Sequence, residues 1–152
     1  MKKPMKESTE MNSRLKSVFA ALVCAVALTL SANVVSAETV SECQQLLANL
    51  KSETQTVIIT GKAAERDRAG LVGKVDNASF ALDRGKFCDA IQKLNDFKAK
   101  VNQLIAAGQI NQNPTDANGA TLATGTQLLA DADAAIHCIN QLQIQSTGTG
   151  CF

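Results

Sequence analysis

The chain has 152 residues, of which 45% are hydrophobic, with fifteen lysines and arginines against fourteen aspartates and glutamates. It has no Trp, no Tyr and one histidine, so an aromatic platform for stacking sugars or bases is hard to build and the inventory for catalysis is thin. Its length allows one domain and no second.

In chain order, the first signal is basic: Lys2, Lys3, Lys6, Arg14 and Lys16 precede an apolar run from Val18 to Leu30 that only Thr29 interrupts. The run is short for a membrane span, which needs about 20 apolar residues, and it leads to the small residues Val35-Ser36-Ala37. This pattern predicts a signal peptide over residues 1–37 with cleavage after Ala37. Cys24 follows Val23, a poor fit to a lipoprotein cleavage site. After Ala37 there are ten basic and twelve acidic residues, a net charge of −2, which argues against a nucleic-acid partner.

Four helices are expected after the leader. Val40, Cys43, Leu46, Leu47, Leu50, Val57 and Ile58 keep a three-and-four spacing up to Gly61, read as a left-handed cap. Leu71, Val72, Val75, Ala78, Ala81 and Leu82 repeat it up to Gly85. Gly70 and Gly73 blur that second start, so either the helix begins near Asp67 or the glycines admit a close neighbour. The third is the most regular: Phe87, Ala90, Ile91, Leu94, Phe97, Val101, Leu104 and Ile105, ending at Gly108 with Ile110 behind it. On its outer face Asp89 precedes Lys93, and Asp96 precedes Lys100, by one turn in the favourable order. A polar segment from Asn111 to Gly119 offers Thr115, Asp116 and Asn118 as caps for a fourth helix striped by Leu122, Leu128, Leu129, Ala132, Ile136, Ile139 and Leu142. Residues 146–152 read as a flexible tail held by Cys151.

The fold class is therefore all-α: an up-down-up-down four-helix bundle over residues 38–145, with short connections that make neighbouring helices antiparallel. The even set Cys43, Cys88, Cys138 and Cys151 in an exported chain reads as two disulfides. In this topology all four cysteines meet at one end. Helix three neighbours helix four while helices one and three are diagonal, so Cys88–Cys138 with Cys43–Cys151 is the preferred pairing; the rival is Cys43–Cys138 with Cys88–Cys151. A Cys43–Cys88 link would contradict the topology.

The order Gly70-Leu71, Ala78, Leu82, Gly85-Lys86, Ala90, Leu94, Phe97, Val101, Gly108, Ile110, Leu122, Ala132 and Ile136 resembles the FIMAH domain over about residues 68–142. That family is a small helical module of bacterial secreted and surface proteins, often attached to polysaccharide-degrading enzymes or adhesins. The resemblance implies a non-catalytic role and supplies no catalytic residues. An additional helix and four cysteines set this chain apart from the module.

The residues point the same way. His137 and Cys138 are adjacent and project about 100° apart on a helix, which does not make a nucleophile and base. Four thiolates would suit zinc, but there is no Cys-x-x-Cys pair and export favours oxidation. Aligning Gly119 with the calcium-loop glycine puts Pro114 at the first ligand position and Gly125 where a bidentate Glu belongs, so the segment reads as a capped turn without metal or cofactor. Lys62 to Lys100 holds nine basic and six acidic residues, whereas only Asp116, Asp131 and Asp133 are charged beyond it; this asymmetry predicts a weakly basic and a weakly acidic side, the sharper reading of which is a docking face. The expected function is a non-catalytic secreted or periplasmic module that recognises a protein or a surface polymer, with no membrane span in the mature form. The alternative is a small secreted inhibitor or periplasmic chaperone acting through a helix face.

Overall fold

The computed structural model describes residues 38–151; the expected leader, its cleavage point and Phe152 lie outside them. The described residues form α1 (Val40–Thr56), α2 (Ala64–Asp83), α3 (Phe87–Ala106) and α4 (Gly125–Thr147), and no strand is present among them. Each helix packs on two others in a ring closed by α1 against α4. Side-chain pairings fix the directions. Gln44 near the start of α1 bonds Ser79 and Asp83 near the end of α2, and Lys100 near the end of α3 pairs with Asp67 near the start of α2 at 2.8 Å. The start of α1 meets the second half of α4 through a disulfide. The bundle is thus up-down-up-down, as the connections predict.

Its core is aliphatic around one aromatic ring: Phe97 is fully buried with Leu47, Leu50, Leu71, Leu94, Leu128 and Ile139 among others. Burying such a side chain is worth about 1.5–3 kcal/mol.

Local chemistry sets the ends. Thr39 and Glu42 form a reciprocal capping box at α1, with the Glu42 carboxylate accepting from the Thr39 N–H at 2.7 Å. α2 and α3 both end on glycines with positive φ, Gly85 and Gly108, and in each case the residue after the glycine donates back five positions, Lys86 to Ala81 and Gln109 to Leu104, each at 2.9 Å.

Several expectations are corrected. α1 stops at Thr56, and Val57 leaves it extended and buried; Gly61, at φ +99°, serves the turn into α2 rather than capping α1. Extended backbone there lets Ile59 bridge to Ile110, so the connections after α1 and α3 are joined. α2 begins at Ala64 and runs through both glycines, and an added Cβ at Gly70 or Gly73 meets nothing within 4 Å. Neither the late start nor the close neighbour holds. α4 begins at Gly125, capped by Thr124, whose hydroxyl accepts from the Gln127 N–H at 3.0 Å; Thr115, Asp116, Asn118 and Leu122 precede it. It continues to Thr147, past the expected boundary at 145, before Gly148 turns the chain at φ +77°. Lys100 reaches across to α2 rather than to Asp96, and Lys98 pairs with Asp133 on α4.

The four cysteines gather at one end in two disulfides, but the pairs are Cys43–Cys138 and Cys88–Cys151, not the preferred Cys88–Cys138 and Cys43–Cys151. The reason is burial. Cys43 and Cys138 are both core residues, while Cys88 stands exposed one step off the stripe of α3, where only the returning tail reaches it. No Cys43–Cys88 link forms, in keeping with the topology.

Candidate binding groove

The reversal at Gly85 places α3 directly after α2, and the two helices open a groove of about 480 Å³ beside the disulfide-bonded end. Its walls follow from helical spacing. Asn77, Phe80, Ala81 and Arg84 fall on one face of α2, and Asp89, Gln92 and Lys93 on one face of α3, with Lys86 at the junction.

Phe80 is 61% exposed, unlike Phe97 in the core. The Arg84 guanidinium lies over its ring, 5.2 Å from the centroid, an arrangement worth about 0.5–1 kcal/mol at an exposed site that also orients the guanidinium. Among the described residues, the cross-helix ion pairs engage Lys51, Lys98 and Lys100, and Arg68 pairs within α2. Arg84, Lys86 and Lys93 make no such pair, so the groove holds three cations against the single carboxylate of Asp89. Of the basic residues between Lys62 and Lys100, Lys98 and Lys100 tie helices together and Arg68 pairs within α2, Arg84, Lys86 and Lys93 line the groove, and Lys62, Arg66 and Lys74 lie outside it without an ion pair among the described residues.

Two features hold the groove in place. The turn at Gly85 is closed by backbone hydrogen bonds, and Cys88, one residue from Asp89, is fastened to Cys151, whose N–H donates to Asn140 at 3.0 Å. Walls fixed before binding lose less entropy on binding.

The other candidates resolve differently. Cys138 is consumed in a disulfide and His137 is exposed, so the two do not form a nucleophile and base. Glu38, Cys43 and Cys138 bring ligand atoms within 4.8 Å of one another, but both sulfurs belong to one disulfide and are not thiolates. In the polar loop, the Asp116 carboxylate accepts from the Asn118 and Ala120 N–H groups, each at 2.8 Å. Those donors hold its carboxyl below the usual range, the Ala120 bond most strongly. The loop is a self-bonded turn in which Asp116 accepts from its own neighbours rather than capping α4.

At the opposite end of the bundle, Glu53 of α1 lines a cleft of about 380 Å³ with Pro114, Leu122 and Gln127. Its carboxyl meets that of Asp131 on α4, and contact with Asp131, then burial, then the Asp131 charge push its pKa up to about 7. Gln127 steadies Asp131, donating to both carboxylate oxygens at 3.0 and 3.2 Å.

Sequence reasoning missed both places. Glu53 gives no signal, because its neighbour lies 78 positions on in another helix. Phe80 does give one: it is the only phenylalanine of α2, and with Asn77 and Arg84 it recurs at helical spacing off the apolar stripe. Compared with family models, curated proteins and solved structures, the chain finds no match.

Proposed function

We propose that this chain is a non-catalytic binding module of an oxidising compartment outside the cytoplasm, and that the α2–α3 groove is its binding surface for an anionic partner. The observation that carries the reading is the set Arg84, Lys86 and Lys93, unpaired among the described residues, around an exposed Phe80. Unpaired cations beside an exposed ring attract and then retain an acidic partner, and Arg and aromatic side chains dominate the energetics of many interfaces. Two disulfides support the compartment, and no helix among the described residues is long and apolar enough to cross a membrane. The FIMAH resemblance points to the same class of role.

The inhibitor or chaperone alternative calls for a continuous apolar strip. Among the described residues the exposed large apolar side chains are Val40, Ile58, Phe80 and Ile144, of which only Phe80 lines the groove.

Titration of the oxidised protein with polyglutamate, polygalacturonate and polylysine, followed by amide chemical shifts, tests the proposal. A polyanion should shift the amides from Asn77 to Lys93 and lose its effect as salt is raised, and polylysine should leave them unmoved. Shifts spread evenly over Lys51, Lys62, Lys74 and the groove, or none at all, would refute it.

A further inference from the structure

We infer that the occupant of this groove is an extended acidic peptide segment carrying an apolar side chain. The inference rests on the proposed binding role of the groove and names its partner class.

The lining is mixed, and each part suits a peptide. Asn77 on the α2 side and Gln92 on the α3 side both line the groove, and each amide offers both donors and an acceptor, the complement of a main chain with alternating N–H and C=O. Asp89 stands among the cations. A peptide can present a main-chain N–H to it and side-chain carboxylates to Arg84, Lys86 and Lys93.

Phe80 discriminates further. The Arg84 guanidinium lies over one face of the ring and competes with a sugar for it, while the rest of this exposed side chain is apolar surface that a Leu- or Ile-like side chain would cover. The groove's 480 Å³ lies within the range of ligand-binding clefts. Charge complementarity with an apolar anchor thus favours an acidic peptide over an anionic polysaccharide.

The test uses the full oxidised protein and four probes: a short synthetic peptide with leucine flanked by glutamates, the same peptide with serine for leucine, polyglutamate, and an oligogalacturonate. Binding is read by anisotropy of a labelled probe. The leucine peptide should bind about tenfold more tightly than its serine counterpart. Phe80→Ala should abolish that preference, and Lys86→Glu with Lys93→Glu should weaken every acidic probe. Phe80 and Lys86 are exposed and Lys93 is half-buried, and mass and far-ultraviolet dichroism confirm that each variant keeps its disulfides and helices. Oligogalacturonate that binds as tightly as the leucine peptide, or a leucine preference that survives Phe80→Ala, would overturn the peptide assignment and leave the anion-binding groove standing. Failure of every acidic probe would remove both.

Discussion

At Gly70 and Gly73 an added methyl group meets nothing within 4 Å, whereas at Gly125 it would lie 2.5 Å from Gln112 Nε2, the end of a flexible side chain, and 2.9 Å from both Ile105 Cγ1 and Ile110 Cγ2. The same substitution should therefore act in opposite directions. Gly70→Ala and Gly73→Ala should each stabilise the fold by about 0.5–1 kcal/mol, because both sites are helical and alanine narrows the unfolded ensemble. Gly125→Ala should cost about 1–3 kcal/mol, because two buried or half-buried isoleucines must move. Denaturant midpoints at constant m-value measure all three. The sequence identifies Gly70 and Gly73 as unusual without saying why, since an interior glycine that admits a neighbour and one that faces open space look alike. Gly125 carries no mark at all, because its crowding comes from α3 and the connection after it.

Helices were legible as elements wherever the apolar spacing was regular, and α3 is the clearest case, with both ends as expected. Ends set by long-range pairing were not. α1 stops short of Gly61 because Ile59 pairs with Ile110, and α4 starts late because the polar loop closes on itself through Asp116. The Glu53 and Asp131 carboxyls make the junction of α1 with α4 responsive to pH. The folded chain holds the Glu53 proton more tightly than the unfolded one, so this group's contribution is full below about pH 4.5 and is lost as pH rises through about 7. From Asp131 comes the only charge that acts on Glu53 across this contact, and Lys51, on the same helix, is engaged with Asp76 at 2.7 Å. Glu53→Gln should remove most of this slope and raise stability at pH 8 by about 1–2 kcal/mol after allowance for solvent screening. Urea titrations at pH 5, 6, 7 and 8 are the check, and an unchanged slope in the variant would contradict the assignment.

Across the whole molecule, the bundle and the convergence of its cysteines were legible because short connections leave little choice of topology. The pairing was not, since α4 neighbours both α1 and α3 and the outcome depends on how each helix is rotated. The clue was present in the stripes: Cys43 lies in the apolar spacing of α1, and Cys88 lies beside that of α3. Burial also sets the order of reduction. Cys43 and Cys138 are 0% and 4% exposed, so a thiol added without denaturant should open Cys88–Cys151 first, detectable by alkylation and peptide mapping. Early labelling of Cys43 would be inconsistent with the buried bridge. Each bridge closes a long loop, of 95 and 63 residues, and its loss should cost about 4 kcal/mol in the chain-entropy model.

The two bridges also interleave: each one spans a cysteine of the other. A chain delivered from its N-terminus into an oxidising compartment presents Cys43 and Cys88 together before Cys138 has emerged, so the first bond available in time is one that the finished molecule does not contain. Oxidation in order of arrival would join neighbours in sequence, and the native pattern joins none. On such a route maturation requires either that the first thiols stay reduced until α4 is delivered, or that an early bridge is exchanged by attack of a later thiolate. The yield of native protein is in this respect tied to the thiol-exchange capacity of the place where it folds.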